Sequence, residues 1–409
     1  MTAPLRVLTF TSLFPSEARP RHGIFVETRL QQLLRDCAVD ARVIAPVPWF
    51  PLRSPVFGQY AEFAATPRHA TRDGGLRVSY PRYAMVPRLG VAFQPASMAR
   101  AAVADAERLI TSGWRPDIID AHYFYPDGVA AAMLSERLQI PFVVTARGSD
   151  VNVLGKRPGS AEKILWAARR AAASIAVSAR LKDALVALGA DAAKVVVLGN
   201  GVDVERFRPE EQSAARRRLG LGAGRLAACV GHLVAEKGQS LAIESLRHLE
   251  GLQLVVVGDG PMRDKLAALG RQLGVDARLS FLAAMPQTEL RYLYSSADVL
   301  LLTSTREGWP NVVLESLACG APVVATDVGA VGEMLTNPQV GRIVAGRDPF
   351  AFAAAIADLL GAPPSRDSAR RHAAGFDWRR ISKGQFDVFV RALGARSGAS
   401  SVGHVPVRT

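Results

Sequence analysis

Short apolar runs alternate with amphipathic stretches along the whole of this chain. In the first half the runs are Arg6-Val-Leu-Thr-Phe10, Ala41-Arg-Val-Ile-Ala45, Ile118-Ile-Asp-Ala-His122, Phe142-Val-Val-Thr145, Ser174-Ile-Ala-Val177 and Val195-Val-Val-Leu198. Runs this short, rich in branched residues and bounded by turn formers, predict buried strands. Between them, apolar residues recur with helical spacing over 25–35, 95–111, 128–138, 161–172 and 179–188. The second half repeats the pattern, with strands at 226–230, 253–257, 278–281, 299–303, 323–325 and 341–344. Strands alternating with helices make parallel sheets joined by crossover helices. The duplication predicts an α/β protein of two doubly wound domains facing each other across a cleft. A turn-rich exit, Gly199-Asn-Gly-Val-Asp203, and a charged connector at 210–219 mark the junction. The expected division is residues 1–200, 201–364, a terminal helical segment 365–393 packing back on the first domain, and a mobile Gly/Ser-rich tail 394–409. Residues 46–63 place Trp49, Phe50, Phe57 and Tyr60 among prolines, which predicts an aromatic loop capping the first core.

Composition narrows the class. A chain of 409 residues is long enough for two full cores, and 49% hydrophobic content describes a packed protein. No apolar run is long enough to span a bilayer, and the N-terminus enters a strand with no signal-peptide pattern. Cys37, Cys229 and Cys319 are scattered and odd in number. This suits a reducing cytoplasm and packing roles. Fifty Lys and Arg against 37 Asp and Glu give a net charge of +13. That excess favours an anionic partner, either a membrane surface or a phosphate-bearing substrate. Arginine-rich genomic usage explains it as simply. No zinc spacing, RNP-like aromatics or basic-region heptad points to nucleic acid, so none is expected as a partner.

The most informative local stretch is Glu307-Gly-Trp-Pro-Asn-Val-Val-Leu-Glu315. A buried strand precedes it, and a helix running to Ala318-Cys-Gly-Ala-Pro322 follows. Pro310 suits the first helical position, where a missing N–H costs little. Glu307 then lies in the loop at the carboxyl end of a strand, with Glu315 one turn into the next helix, on the edge where open α/β sheets bind ligands. A helix start attracts phosphate, and a carboxylate accepts paired bonds from sugar hydroxyls. An acidic loop beside an unrelated surface glutamate is the plain alternative. Lys237, beside Gly238 in a strand-to-helix loop, is placed to reach a diphosphate, although the loop is no Walker motif. Gly258-Asp-Gly260 lacks the third glycine of a dinucleotide site. In the first half, Gly23 opens a helix, where glycine permits close backbone approach to a ligand. His122, Asp127, Arg147 and Asp150 end strands. A core histidine is as good a reading as a functional one for His122, and a structural salt bridge is the alternative for Arg147 with Asp150. His22 reads as a bystander. No Cys/His/Asp cluster has metal-ligand spacing, so no metal is expected.

Taken with Asn200-Gly-Val-Asp203, Phe207-x-Pro209, Glu236-Lys-Gly238, Gly258-Asp-Gly-Pro261 and Tyr294-x-x-Ala-Asp298 in this order, the chain resembles the retaining GT-B glycosyltransferases of family 4, the group 1 glycosyl transferases, of the polysaccharide-assembly type. The resemblance covers nearly all of the chain and implies two Rossmann-like domains. It implies a retaining hexosyltransferase that moves a sugar from a UDP-, GDP- or other nucleotide diphosphate sugar to an acceptor hydroxyl without metal or resident cofactor. By resemblance Lys237 holds the diphosphate, Glu307 the transferred sugar and Glu315 the ribose. Gly23, Gly308, Asn311 and Gly329 adjoin the donor, and backbone near 283–285 reads the base. The acceptor implied is a polyprenyl-linked saccharide, with the enzyme cytoplasmic or peripheral on the inner membrane face. Two positions depart from the pattern: His232 stands where relatives carry arginine, and Arg147-Gly-Ser-Asp150 where they often carry His-Gly-x-Asp. The departing diphosphate deprotonates the acceptor in this picture, so no enzyme nucleophile is needed. Rival readings are a GT-B epimerase and a non-catalytic nucleotide binder held on membrane or nucleic acid by its charge.

Overall fold

A computed structural model describes residues 3–85 and 92–399. The chain divides into two units: residues 1–199 with 379–409, and Asn200–Trp378. Unit 1 contains strands β1 (Leu5–Phe10), β2 (Val39–Ile44), β3 (Val47–Pro48), β4 (His69–Arg72), β5 (Leu76–Ser79), β6 (Arg82–Tyr83), β7 (Ile118–His122), β8 (Phe142–Ala146), β9 (Ala173–Ala176) and β10 (Val195–Val197). Its helices are α1 (Ile24–Asp36), α2 (Gln59–Ala65), α3 (Gln94–Thr111), α4 (Val129–Leu138), α5 (Ser149–Asn152), α6 (Pro158–Arg170) and α7 (Ala179–Ala187). Unit 2 carries strands β11 (Arg225–Val230), β12 (Leu252–Val257), β13 (Leu279–Leu282), β14 (Val299–Leu302), β15 (Val323–Thr326) and β16 (Gly341–Val344). Its helices are α8 (Gln212–Leu219), α9 (Gln239–Leu246), α10 (Arg263–Gln272), α11 (Gln287–Ser296), α12 (Asn311–Ala318), α13 (Val331–Met334), α14 (Pro349–Gly361) and α15 (Arg366–Ala374). The last helix, α16 (Trp378–Ala399), begins at the end of unit 2 and runs through unit 1.

The central strands β7, β8, β14 and β15 are buried at every position and mostly apolar because helices cover both faces of each sheet, which is what a parallel sheet requires. Unit 2 orders its strands β13-β12-β11-β14-β15-β16, all parallel. The order reverses between β11 and β14, so the loops after these two strands diverge and leave a crevice at the carboxyl edge. Unit 1 orders its main sheet β10-β9-β8-β7-β1-β2-β5-β4, reversing between β1 and β7. Two apolar clusters flank the unit 2 sheet, with Leu300 and Leu314 in one and Val256 and Phe352 in the other. In unit 1, Val7, Val43 and Leu30 pack with Val388 and Phe389 of α16.

Several expectations need revision. The segment 365–393 is divided: α15 packs on α12 in unit 2, and only the chain from Arg379 belongs with unit 1. Helix α16 continues past Gly394 to Ala399, while residues 400–409 of the expected tail lie outside the described residues. Residues 46–63 are partly ordered into β3, a 3-10 turn and α2. Val47 and Phe63 are buried and Tyr60 packs on the core, yet Trp49 is 59% exposed and Val56 82%, so the loop caps the core with its two ends and leaves its middle exposed. The antiparallel β4–β5 hairpin was not expected. Its four-residue strands are too short to show a period, although Asp73-Gly-Gly75 carried the turn signal. Pro310 is the residue just before α12, with Asn311 the first helical position.

Candidate active site

The two loops that follow β11 and β14 are stitched together in unit 2. Thr305 donates its backbone N–H to the Glu236 carbonyl at 2.8 Å, and the Thr303 hydroxyl donates to the Lys237 carbonyl at 3.1 Å. Lys237 closes a single 3-10 turn ahead of α9. Its Nζ lies 2.5 Å from Glu307 Oε1, which also accepts from Ser304 Oγ at 2.7 Å. An ammonium has three donors, so one bond to Glu307 leaves it able to serve an anion as well. The Glu307 side chain is nearly buried and that of Lys237 is 34% exposed, so the pair is screened less than a surface ion pair.

Gly329 supports this loop from beneath. Its φ is +52°, and a Cβ there would sit 2.4 Å from the Glu307 carbonyl oxygen and 3.0 Å from that of Gly308. Only glycine allows the Gly329 loop to lie so close with this backbone.

Glu315 is one turn into α12 and buried, where it accepts the Tyr294 hydroxyl at 2.9 Å. Burial pushes its carboxyl up to about 7, against the opposing pull of the Tyr294 bond and the Arg206 charge. The Tyr294 phenol is itself held well above its usual value, first by burial and then by the Glu315 charge. Asn311 starts the same helix, and its side-chain oxygen accepts from Asn200 at 3.1 Å, which fixes the helix start to the residue opening unit 2. The 283–285 loop lies on the same edge after β13, with the Ala284 N–H on Asp259 Oδ1 at 3.2 Å. His232, after β11, is exposed, and only its carbonyl is engaged by Gln239 and Val234.

Unit 1 brings its candidates together at its own point of reversal. Gly23 precedes α1 with φ +68°, and a Cβ would strike the Leu13 carbonyl at 2.2 Å. The Arg147 guanidinium lies 5.3 Å from the centre of the Phe25 ring in the first turn of α1. His122 is 1% exposed, with Nε2 3.2 Å from Asp120 Oδ2 and Nδ1 2.7 Å from Arg147 Nη2. Both ring nitrogens are engaged and the ring is buried, so His122 supports Arg147 in this structure. Burial lowers the His122 imidazole, with Asp120 opposing and Arg147 reinforcing. Burial also brings Arg147 down to about 9. Asp150 is not paired with the Arg147 guanidinium: its oxygens take the backbone N–H groups of Phe124, Arg147 and Gly148 at 2.8–3.2 Å. It shapes the strand-to-helix turn. Asp127 is fully buried and takes both the N–H and the hydroxyl of Ser12, its carboxyl raised to about 7 by burial. His22 bridges Arg19 and the Ser12 carbonyl, a bystander packed in its loop.

Residues 211–375 match the family described as Glycosyl transferases group 1, and residues 56–206 match Glycosyltransferase Family 4. The chain is 36% identical over 348 residues to TuaC of Bacillus subtilis (strain 168), a glycosyltransferase assigned to teichuronic acid biosynthesis. That match spans 82% of this chain and 84% of TuaC. The chain belongs to the family 4, group 1 glycosyltransferases. This glycosyltransferase is also 32% identical over 321 residues to a D-inositol 3-phosphate glycosyltransferase of Nocardia farcinica, covering 70% of this chain and 69% of the relative. Among solved structures, sucrose-phosphate synthase of Thermosynechococcus elongatus has a TM-score of 0.77 at 17% identity, over 96% of this chain and all of that one. Anabaena Alr3699/HepE in complex with UDP has a TM-score of 0.67 at 21% identity, over 98% of this chain and 100% of that one. These likenesses give the glycosyltransferase the GT-B fold.

Four residues that position the glycosyltransferase's candidate groups were not singled out from sequence. Tyr294 stood inside a quoted motif and Ser304 just ahead of one, but nothing local says that a serine three residues before Glu307 binds it. Arg29 and Gln385 meet each other across 356 residues of chain. Among the described residues no group of three or more His, Cys, Asp or Glu is placed to hold a metal ion, and no helix is long and apolar enough to cross a membrane.

Proposed function

We propose that this glycosyltransferase moves a hexose from a nucleotide diphosphate sugar to an acceptor hydroxyl with retention, in the assembly of a cell-surface glycan. The observation that carries the reading is the coupled Lys237–Glu307–Ser304 cluster, set beside buried Glu315 at the point where the unit 2 sheet reverses. In this reading Lys237 takes the diphosphate and Glu307 a hydroxyl of the transferred sugar, while Glu315 grips the ribose. Stabilising charge on the departing diphosphate supplies most of the rate. The UDP- and UDP-glucose-bound structures of the Anabaena relative support a nucleotide-sugar donor. The name of TuaC supports glycan assembly. Exposed Trp49, Leu52, Val56 and Phe57, together with the charge of +13, support an acceptor presented at an anionic membrane surface, such as a polyprenyl-linked saccharide.

Calorimetric titration of UDP, GDP and ADP tests the donor assignment. Glu315→Ala is expected to weaken the preferred nucleotide by about 1.5–3 kcal/mol, the worth of a charge-assisted hydrogen bond. Glu307→Ala is expected to lower turnover more than nucleotide affinity. Both are measured with chelator present, because Lys237 supplies the positive charge in this scheme. Unchanged affinity in Glu315→Ala removes the ribose role. Activity lost in chelator and restored by magnesium removes the metal-free one.

A further inference from the structure

The buried hydrogen bonds beneath Arg147 have a fixed direction. Arg147 can only donate, so His122 Nδ1, 2.7 Å from its Nη2, must be the accepting nitrogen of the ring. The ring proton is then on Nε2 and points at Asp120 Oδ2, 3.2 Å away. That oxygen also accepts Gln385 Nε2 at 2.9 Å, and Gln385 Oε1 accepts Arg29 Nε at 2.6 Å. The amide of Gln385 cannot be turned round, because Arg29 has no acceptor for its N–H. Arg29 is 1% exposed and its Nη1 holds the Gly199 carbonyl at 2.8 Å. The charged and titratable groups around the ring are therefore Asp120 on its own strand, Arg147 after β8 and Arg29 of α1, all within unit 1.

We infer that Asp120 and Gln385 are positioning residues of this enzyme: they hold His122 in its Nε2-protonated tautomer so that Nδ1 aims the Arg147 guanidinium at a phosphate of the substrate. This deepens the proposed function and rests on its phosphate-bearing donor. A protonated or Nδ1-protonated ring would turn an N–H toward Arg147 and lose the bond. Burial, with the Arg147 and Arg29 charges, keeps the ring neutral against the pull of Asp120, which leaves Asp120 to choose the tautomer. The outermost support, Gln385, comes from α16, so the last helix of the chain reaches a group at the substrate-binding edge of its unit.

Two measurements on the full-length protein test the inference. In nitrogen-15 histidine NMR, the signal missing from His122→Leu is assigned to His122. It should show the neutral Nε2–H form from pH 6 to 8, and Asp120→Ala, which removes the acceptor of the Nε2 proton, should let the Nδ1–H tautomer appear. A charged ring or the Nδ1–H form in the wild type overturns the proposal. In UDP titrations, Arg147→Ala should weaken binding about tenfold, and His122→Leu, which has no acceptor, should do the same. His122→Asn, whose side-chain oxygen falls near Nδ1, should stay within about threefold of wild type. Thermal melts of both variants separate lost positioning from lost stability, because a merely structural histidine would give Leu and Asn equal losses. Wild-type UDP affinity in His122→Leu, or in Arg147→Ala, overturns the relay. Failure of the wild type to bind any nucleotide overturns the donor assignment instead, and the NMR arm then decides whether the lock exists.

Discussion

Glu315 shows how a candidate binding residue weakens the fold that carries it. Its carboxyl is raised from 4.5 to about 7 by burial, so the folded chain keeps a proton that the unfolded chain releases between those values. Where the folded state binds more protons, stability falls as pH rises. The penalty is therefore absent below about pH 4.5, grows through the window and is complete above about 7. Glu315→Gln, which cannot ionise and still accepts the Tyr294 hydroxyl, is expected to gain up to roughly 3 kcal/mol over wild type at pH 8. Most of that gain should vanish at pH 5. Thermal melts at the two pH values check it, and an equal difference at both would contradict the burial argument. The same variant should bind nucleotide less well, since residues selected for function are often poor for stability.

At the scale of the element, the β14–α12 loop depends on a loop it does not belong to. The Gly329 backbone at φ +52° lies under Glu307 and Gly308, and a methyl group there collides with backbone that cannot swing away. Gly329→Ala should cost about 1–3 kcal/mol of stability through left-handed strain and displacement. It should lower turnover by shifting Glu307 away from Lys237. Gly332, three residues on and inside α13, has nothing within 4 Å of its Cβ position. Gly332→Ala is expected to be neutral or to stabilise by about 0.4–1 kcal/mol. Measured melting and turnover of the pair separate a general effect of extra bulk from the specific support of the Glu307 loop. Equal behaviour of the two variants would refute that support.

At the scale of the whole molecule the two units differ in how the chain completes them. Unit 2 is contiguous from Asn200 to Trp378 and contains every strand of its sheet. Unit 1 is closed only by α16, which contributes Val388 and Phe389 to its core and Gln385 to the Arg29–Asp120 network. A chain ending at 378 would leave a buried arginine and a buried carboxylate short of a partner, typically a loss of about 3–5 kcal/mol. Calorimetry on that truncation should show unit 2 melting as before and the unit 1 transition lowered or lost. Two unchanged transitions would show that α16 is dispensable.

Much of this was legible in the sequence because strands, helices and their caps are local. The run 299–303 reads as a strand from five residues, and the stop at Ala318-Cys-Gly-Ala-Pro322 as a helix end from another five. Alternation of such elements dictates a parallel sheet, and a parallel sheet puts its loops at the carboxyl edge. Glu307 and Lys237 were therefore placed at one edge without coordinates, and the family resemblance added Gly329. What no local pattern encodes is the partner of a buried polar group. Asp150 turned to backbone N–H groups instead of Arg147, and His122 became a sealed support, because those choices depend on which atoms packing brings within 3 Å. Arg29 and Gln385 meet from opposite ends of the chain for the same reason. Side-chain period and turn chemistry fixed the elements and the edge on which the site is built. Only packing at long sequence separation decided which residues meet the substrate and which hold them there, since an unpaired buried donor or acceptor costs too much for its partner to be left to chance.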